Sequence, residues 1–167
     1  GIYFSFNDRK DMIANSLSHR GPDDISTFKN ERVQMHFNRL KINDLSDNGN
    51  QPISFNNVRL ICNGEIFNHK ELAIFHHFNT VSESDCEVII HMYLYLKNKY
   101  DNIYQIIDLL CNSIDGEFSF CLYDELQDFV ICARDPFGVR PLFYDTKTLS
   151  FASELKAFVN HTHVQQF

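Results

Sequence analysis

A chain of 167 residues can bury one sizeable core as a single globular domain, and a composition 44% hydrophobic and 14% aromatic excludes a disordered one. The net charge of −7 argues against a polyanion, so no nucleic-acid partner is expected. No apolar run approaches the ~18 residues that span a bilayer, so no membrane partner is expected either.

The five cysteines form no CxxC pair and read as buried thiols of a reducing compartment, which makes a cytoplasmic location the expectation. No repeat or low-complexity linker divides the chain, so residues 1–167 read as one domain. Met12, Ile13 and Leu17 recur at helical spacing over residues 8–18, and Gly21-Pro22 stops that helix. Residues 33–37 alternate as a strand does. Asn48-Gly49 and Asn56-Asn57 mark turns, so residues 33–62 read as antiparallel strands.

His69, His76 and His77 fall on a polar–apolar helix as surface residues without ligand spacing, and no metal site is expected. Ser84-Asp85-Cys86-Glu87 fits a capping box, with Ser84 on the amide of Glu87 and Glu87 reaching back. A helix to about residue 100 follows, then another over 104–110. Two alternating runs, 117–123 and 129–133, flank a polar turn at 124–128. Residues 143–144 and 150–152 add two more strands. Strands, helices and strands again predict two antiparallel sheets with helices outside them, an α+β architecture.

Four clusters exceed what packing requires: His19-Arg20-Gly21-Pro22-Asp23, Arg39-Leu40-Lys41-Ile42, Asn63-Gly64-Glu65-Ile66-Phe67-Asn68 and Ala133-Arg134-Asp135-Pro136-Phe137-Gly138. Each also has a plain structural reading. The first is a good loop sequence, Asn63-Gly64 a hairpin tip, and Arg134-Asp135 an exposed ion pair. Arg39 can be a surface arginine beside a strand, and Asp85 a simple acid at a helix start.

Taken in order, the chain resembles the glutaminase domain of class II glutamine amidotransferases, and within them that of asparagine synthetase. That family shows His-Arg-Gly-Pro-Asp, Arg-Leu-x-Ile, Asn-Gly-Glu-Ile-Tyr-Asn, Ser-Asp-x-Glu-Val, Arg-Asp-Pro-x-Gly and Phe-Ala-Ser-Glu. The counterparts here are residues 19–23, 39–42, 63–68, 84–88, 134–138 and 151–154, departing only by Phe67 for Tyr. The resemblance implies a four-layer αββα sandwich of two antiparallel sheets with flanking helices, of the N-terminal nucleophile hydrolase type.

The implied chemistry is hydrolysis of glutamine to glutamate and ammonia for ATP-dependent asparagine synthesis. An N-terminal cysteine thiolate attacks the side-chain amide, with its own α-amine as base. The implied oxyanion donors are the Asn63 side chain and the Gly64 backbone N–H. Arg39 would fork onto the α-carboxylate, and backbone around Leu40 and Ile42 would line the pocket. Asp85, helped by Glu65, would receive the α-ammonium. His19-Arg20 and the 134–138 loop would support the site from behind. Residues near 151–159 would contribute to a junction with a synthetase domain.

The family opens Cys-Gly-Ile where this sequence opens Gly1-Ile2. The nucleophile is therefore expected immediately before Gly1. None of the five cysteines can replace it, because thiol and free α-amine must share one residue. Cys62 is expected to face away from Asn63. As written, the chain is expected not to turn over glutamine. Three explanations stand: an unrecorded cysteine, its deliberate removal, or a catalytically inactive structural domain packing against a synthetase, as in β-lactam-forming relatives.

No cofactor is implied for this domain. ATP and Mg are implied only for a synthetase domain, whose Ser-Gly-Gly-x-Asp-Ser loop does not occur in these residues. The implied partners are glutamine and that synthetase domain, in the same or a separate chain, and a homodimer stays open.

Overall fold

In the computed structural model, residues 1–6, 16–42, 44–158 and 161–167 are described. The helix expected over 8–18 lies mostly outside them. Ten strands are described: β1 (Ile2–Phe6), β2 (Asp24–Lys29), β3 (Val33–Arg39), β4 (Ile53–Phe55), β5 (Val58–Ile66), β6 (Gly116–Asp124), β7 (Phe129–Arg134), β8 (Phe143–Asp145), β9 (Ser150–Ala152) and β10 (Val164–Gln166). The helices α1 (His69–His76), α2 (Glu87–Lys97) and α3 (Ile103–Ser113) separate β5 from β6.

The strands form two antiparallel sheets, one of six strands in the order β10-β8-β9-β1-β3-β2 and one of four in the order β4-β5-β6-β7. Period-two alternation sorts their side chains into layers. Ile2, Phe4, Val33, Met35 and Phe37 of the larger sheet meet Ile61, Cys121 and Tyr123 of the smaller one in a shared core. The next residues along β5 and β6, Leu60, Cys62, Phe120 and Leu122, face the other way and pack on Ile89, Met92 and Tyr93 of α2. Both faces of the smaller sheet are therefore dry. Beyond the larger sheet, Tyr3, Leu17, Ala152, Ala157 and Phe158 close a third cluster. The apolar residues expected at a synthetase junction thus belong largely to this chain's own core: Phe151, Ala152, Ala157 and Phe158 are buried, while Leu155 is exposed.

Asn56 and Asn57 form the β4–β5 turn with φ of 48° and 60°, values that Asn tolerates better than other side chains. Three local expectations are corrected. Asn63-Gly64 is not a hairpin tip but lies inside β5, paired throughout with β6. The capping box at 84–87 does not form. Cys86 already has helical angles, Ser84 offers only its carbonyl to the Glu87 amide, and the Glu87 carboxylate accepts from Val81 N (2.7 Å) and Ser82 N (2.8 Å) instead. Helix α2 stops at Lys97, short of residue 100, and α3 starts earlier because Asn102 caps the amides of Tyr104 and Gln105.

Candidate functional site

The site lies where the core between the sheets opens at one end. Gly1 extends the β1–β3 ladder: its nitrogen donates to Asn38 O (2.7 Å) and its carbonyl accepts from Asn38 N (2.8 Å). Arg39 follows at the end of β3, and Asn63 shares the core-facing side of β5 with Ile61. Asp85 stands just before α2. A cavity of about 430 Å³ opens between them, and all of Arg39, Leu40, Ile42, Asn63, Gly64, Glu65 and Asp85 line it, as does Gly1.

Arg39 is only 5% exposed, which removes its reading as a surface arginine. Its Nη1 donates to Ser46 O (2.7 Å) and Asn50 Oδ1 (2.6 Å), and its Nη2 to Asp44 O. Of its five N–H bonds, that on Nε and one on Nη2 have no partner among the described residues. Asp85 is buried and accepts the Ile66 amide at 2.6 Å. Leu40, Ile42 and Glu65 lie exposed at the rim.

Two donors of β5, one on the backbone and one on a side chain, have no partner among the described residues. The bond from Phe67 N to Asp115 O sets the parity, so odd-numbered residues of β5 bond to β6 and even-numbered N–H groups point away. The Cys62 amide, pointing away, is taken by Gln51 Oε1 (2.6 Å), and the Ile66 amide by Asp85. The Gly64 amide lies between them with no partner among the described residues. Beside it, Asn63 Nδ2 is buried and has no partner among the described residues, while Asn63 Oδ1 faces Arg20 Nη2 at 3.5 Å. That contact orients the amide, because a guanidinium can meet only the oxygen. Gly64 also answers to packing: a Cβ there would lie 2.2 Å from Glu117 O and 2.6 Å from Phe118 Cα.

His19 and Arg20, expected behind the site, line the cavity itself. Both meet Glu154, at 2.9 and 3.3 Å, and the Arg20 stem packs against Gly1. Burial opposes charge on Glu154, but hydrogen bonds from His19 and Lys156 outweigh it and hold the carboxyl below its ordinary value. Asp135 is no exposed ion-pair partner. It is buried and accepts the amides of Phe137, Val139 and Arg140, which folds its loop so that Arg140 reaches the cavity.

Cys62 lies on the helix side of β5, away from Asn63, against Cys86. The hydrogen bond between the two thiols, then burial, pushes Cys86 well above the ordinary thiol range, which leaves it a poor nucleophile.

Asp44, Arg140 and Glu154, none of them expected at the site from the sequence, also line the cavity. The arrangement offers a cation at one wall, a carboxylate at another and two unused neutral donors together, which suits a zwitterion carrying a carbonyl group.

A family model described as a glutamine amidotransferase domain matches residues 3–167. The chain is 38% identical over 156 residues to asparagine synthetase [glutamine-hydrolyzing] 2 of Bacillus subtilis, covering 90% of the chain and 19% of that protein. It is also 38% identical over 160 residues to asparagine synthetase [glutamine-hydrolyzing] 1 of Saccharomyces cerevisiae, covering 89% and 26%. The putative asparagine synthetase [glutamine-hydrolyzing] 2 of Methanocaldococcus jannaschii is 32% identical, with 86% and 30% covered. The chain thus spans between 19% and 30% of the length of these relatives. Among solved structures, glutamine phosphoribosylpyrophosphate amidotransferase of B. subtilis superposes with a TM-score of 0.64 at 24% identity, over 83% of this chain and 31% of that one. The allosteric regulatory enzyme of purine biosynthesis gives 0.64 at 21% identity, over 99% and 38%. These two likenesses establish the fold.

Proposed function

The chain belongs to the glutamine amidotransferase domain family, and on that premise we propose that it is the glutamine-hydrolysing part of an asparagine synthetase. The observation that carries the reading is a pair of neighbouring donors, Asn63 Nδ2 and, from the ladder parity, Gly64 N–H, that have no partner among the described residues and belong to residues lining the cavity. A buried donor without a partner costs stability, and the pair suits an oxygen that becomes negative in the transition state.

In this reading glutamine lies with its α-carboxylate on the free side of the Arg39 guanidinium and its α-ammonium toward Asp85 and Glu65. Backbone around Leu40 and Ile42 closes the rim. A cysteine joined to the Gly1 nitrogen brings its thiol and α-amine to the same cavity. Its thiolate adds to the amide carbon, and the oxyanion takes the N–H groups of Asn63 and Gly64. The α-amine moves the thiol proton to the departing nitrogen, which leaves as ammonia. Water then adds to the thioester and releases glutamate.

The ammonia is used by the synthetase part that the relatives' greater length supports. ATP and Mg would act in that part and not in this domain.

The test is the intact mass of the natural gene product before and after a glutamine-mimicking electrophile, with the adduct located by peptide mapping. An adduct on a cysteine immediately ahead of Gly1 is expected. A natural product without that cysteine, and unmodified, would overturn the catalytic reading and leave a glutaminase-like structural domain.

A further inference from the structure

Asp44 belongs to the loop between β3 and β4 and is 6% exposed. One of its carboxylate oxygens accepts the Ser46 amide (2.7 Å) and hydroxyl (2.6 Å). The other accepts the Glu83 amide at 2.9 Å, two residues before Asp85. Its own carbonyl accepts Arg39 Nη2, and the Ser46 carbonyl that it helps to orient accepts Arg39 Nη1. Gly49 presses so closely on this arrangement that a Cβ there would meet Arg39 Nη2 and, at 2.8 Å, Asp44 Cβ. A single side chain therefore ties the loop that holds Arg39 to the segment that carries Asp85.

Resting on the glutamine reading above, we propose that Asp44 is a positioning residue. It sets the separation between the Arg39 guanidinium and the Asp85 carboxylate, so that one α-amino acid head group meets both. Both Asp44 oxygens already hold protein donors, so the residue acts through its two neighbours rather than on the amide being cleaved. Recognition by two fixed, opposite charges discriminates only while their spacing holds, and a carboxylate fastened to backbone amides on both sides is a stiff spacer. Asp44→Asn keeps volume and shape but turns an NH₂ toward Ser46 or Glu83, setting donor against donor.

The experiment is titration calorimetry on the protein and its Asp44→Asn variant with three probes. These are L-glutamine, 4-carbamoylbutanoate, which lacks the α-ammonium, and 4-aminobutanamide, which lacks the α-carboxylate. The variant is expected to bind glutamine about tenfold more weakly, the equivalent of one charged hydrogen bond. Each one-charge probe should change by no more than about twofold. Ser46→Ala, which removes one donor, should move glutamine alone in the same direction by less, and it carries the test if Asp44→Asn fails to fold. Equal loss for all three probes would overturn the proposal in favour of simple pocket collapse, and so would no loss for any. Failure of the unmutated protein to bind glutamine would remove the underlying reading instead.

Discussion

On the proposed reading, Asn63 separates stability from chemistry. Among the described residues its Nδ2 is buried without a partner, and its Oδ1 has only a long contact to Arg20. Asn63→Ala should therefore change unfolding free energy by less than about 1 kcal/mol. The same substitution should lower ammonia release, in a protein carrying the cysteine before Gly1, by roughly 10²- to 10³-fold. Thermal melts beside ammonia assays check this, and parallel loss of both would make the amide structural. Arg39 behaves differently, because its guanidinium holds three acceptors of its own loop and offers its remaining edge to the cavity. An ammonium cannot span that set, so Arg39→Lys should weaken glutamine binding by about tenfold or more. Unchanged affinity in calorimetry would take Arg39 out of the site. Their place on the cavity wall was legible because short motifs single out particular side chains there. Asp44 was not. It works on the amide of Glu83, and every residue but proline offers an amide, so nothing in the sequence marks the partner.

Elements were legible where one period ran unbroken, as in β6 and β7, and where Asn56-Asn57 supplied a turn of known type. They were misread where two local motifs competed. Asn63-Gly64 is a good turn in isolation, but β6 pairs along the whole of β5 and holds it straight. Glu87 could close a capping box, but the amides of Val81 and Ser82 claim its carboxylate first. The turn between β8 and β9 follows the same logic of amides gathered by a carboxylate. Asp145 is 2% exposed and accepts the amides of Lys147 and Thr148 and a nitrogen of His161, each at 2.8 Å. Burial alone would raise its pKa. The bonds from Thr148, His161 and Lys147 prevail and draw it from 3.8 to about 2. A carboxyl depressed by folding stabilises above its unfolded value, and that stabilisation fades as pH falls from near 3.8 through about 2. Chemical denaturation at a series of acid pH values should therefore show Asp145→Asn losing less stability over that window than the unmutated protein. Parallel acid limbs would show that the turn amides do not hold the charge.

At the scale of the molecule, the cavity exists only while both sheets are packed. Gly1 and Arg39 come from the larger sheet, Asn63 and Gly64 from the smaller, and Asp85 from the segment leading into α2. Their relative placement is set by the shared core of Phe4, Met35, Phe37, Ile61 and Tyr123. An unfolded chain brings none of these groups together, so a ligand of this cavity binds the native state alone. If the cavity takes glutamine as proposed, linkage requires glutamine to raise the melting temperature. At a hundredfold excess over its Kd the gain is about 2.7 kcal/mol, a rise of roughly 5 to 10 °C for a domain of this size. L-asparagine provides the contrast. Its head group can meet Arg39 and Asp85 equally well, but with one methylene fewer its amide falls short of Asn63 and Gly64, and at matched concentration it should raise the midpoint by less. Equal shifts from the two amino acids would mean that the head group alone is recognised and the unused donors play no part. No shift from glutamine would show that the opening between the sheets is not its site.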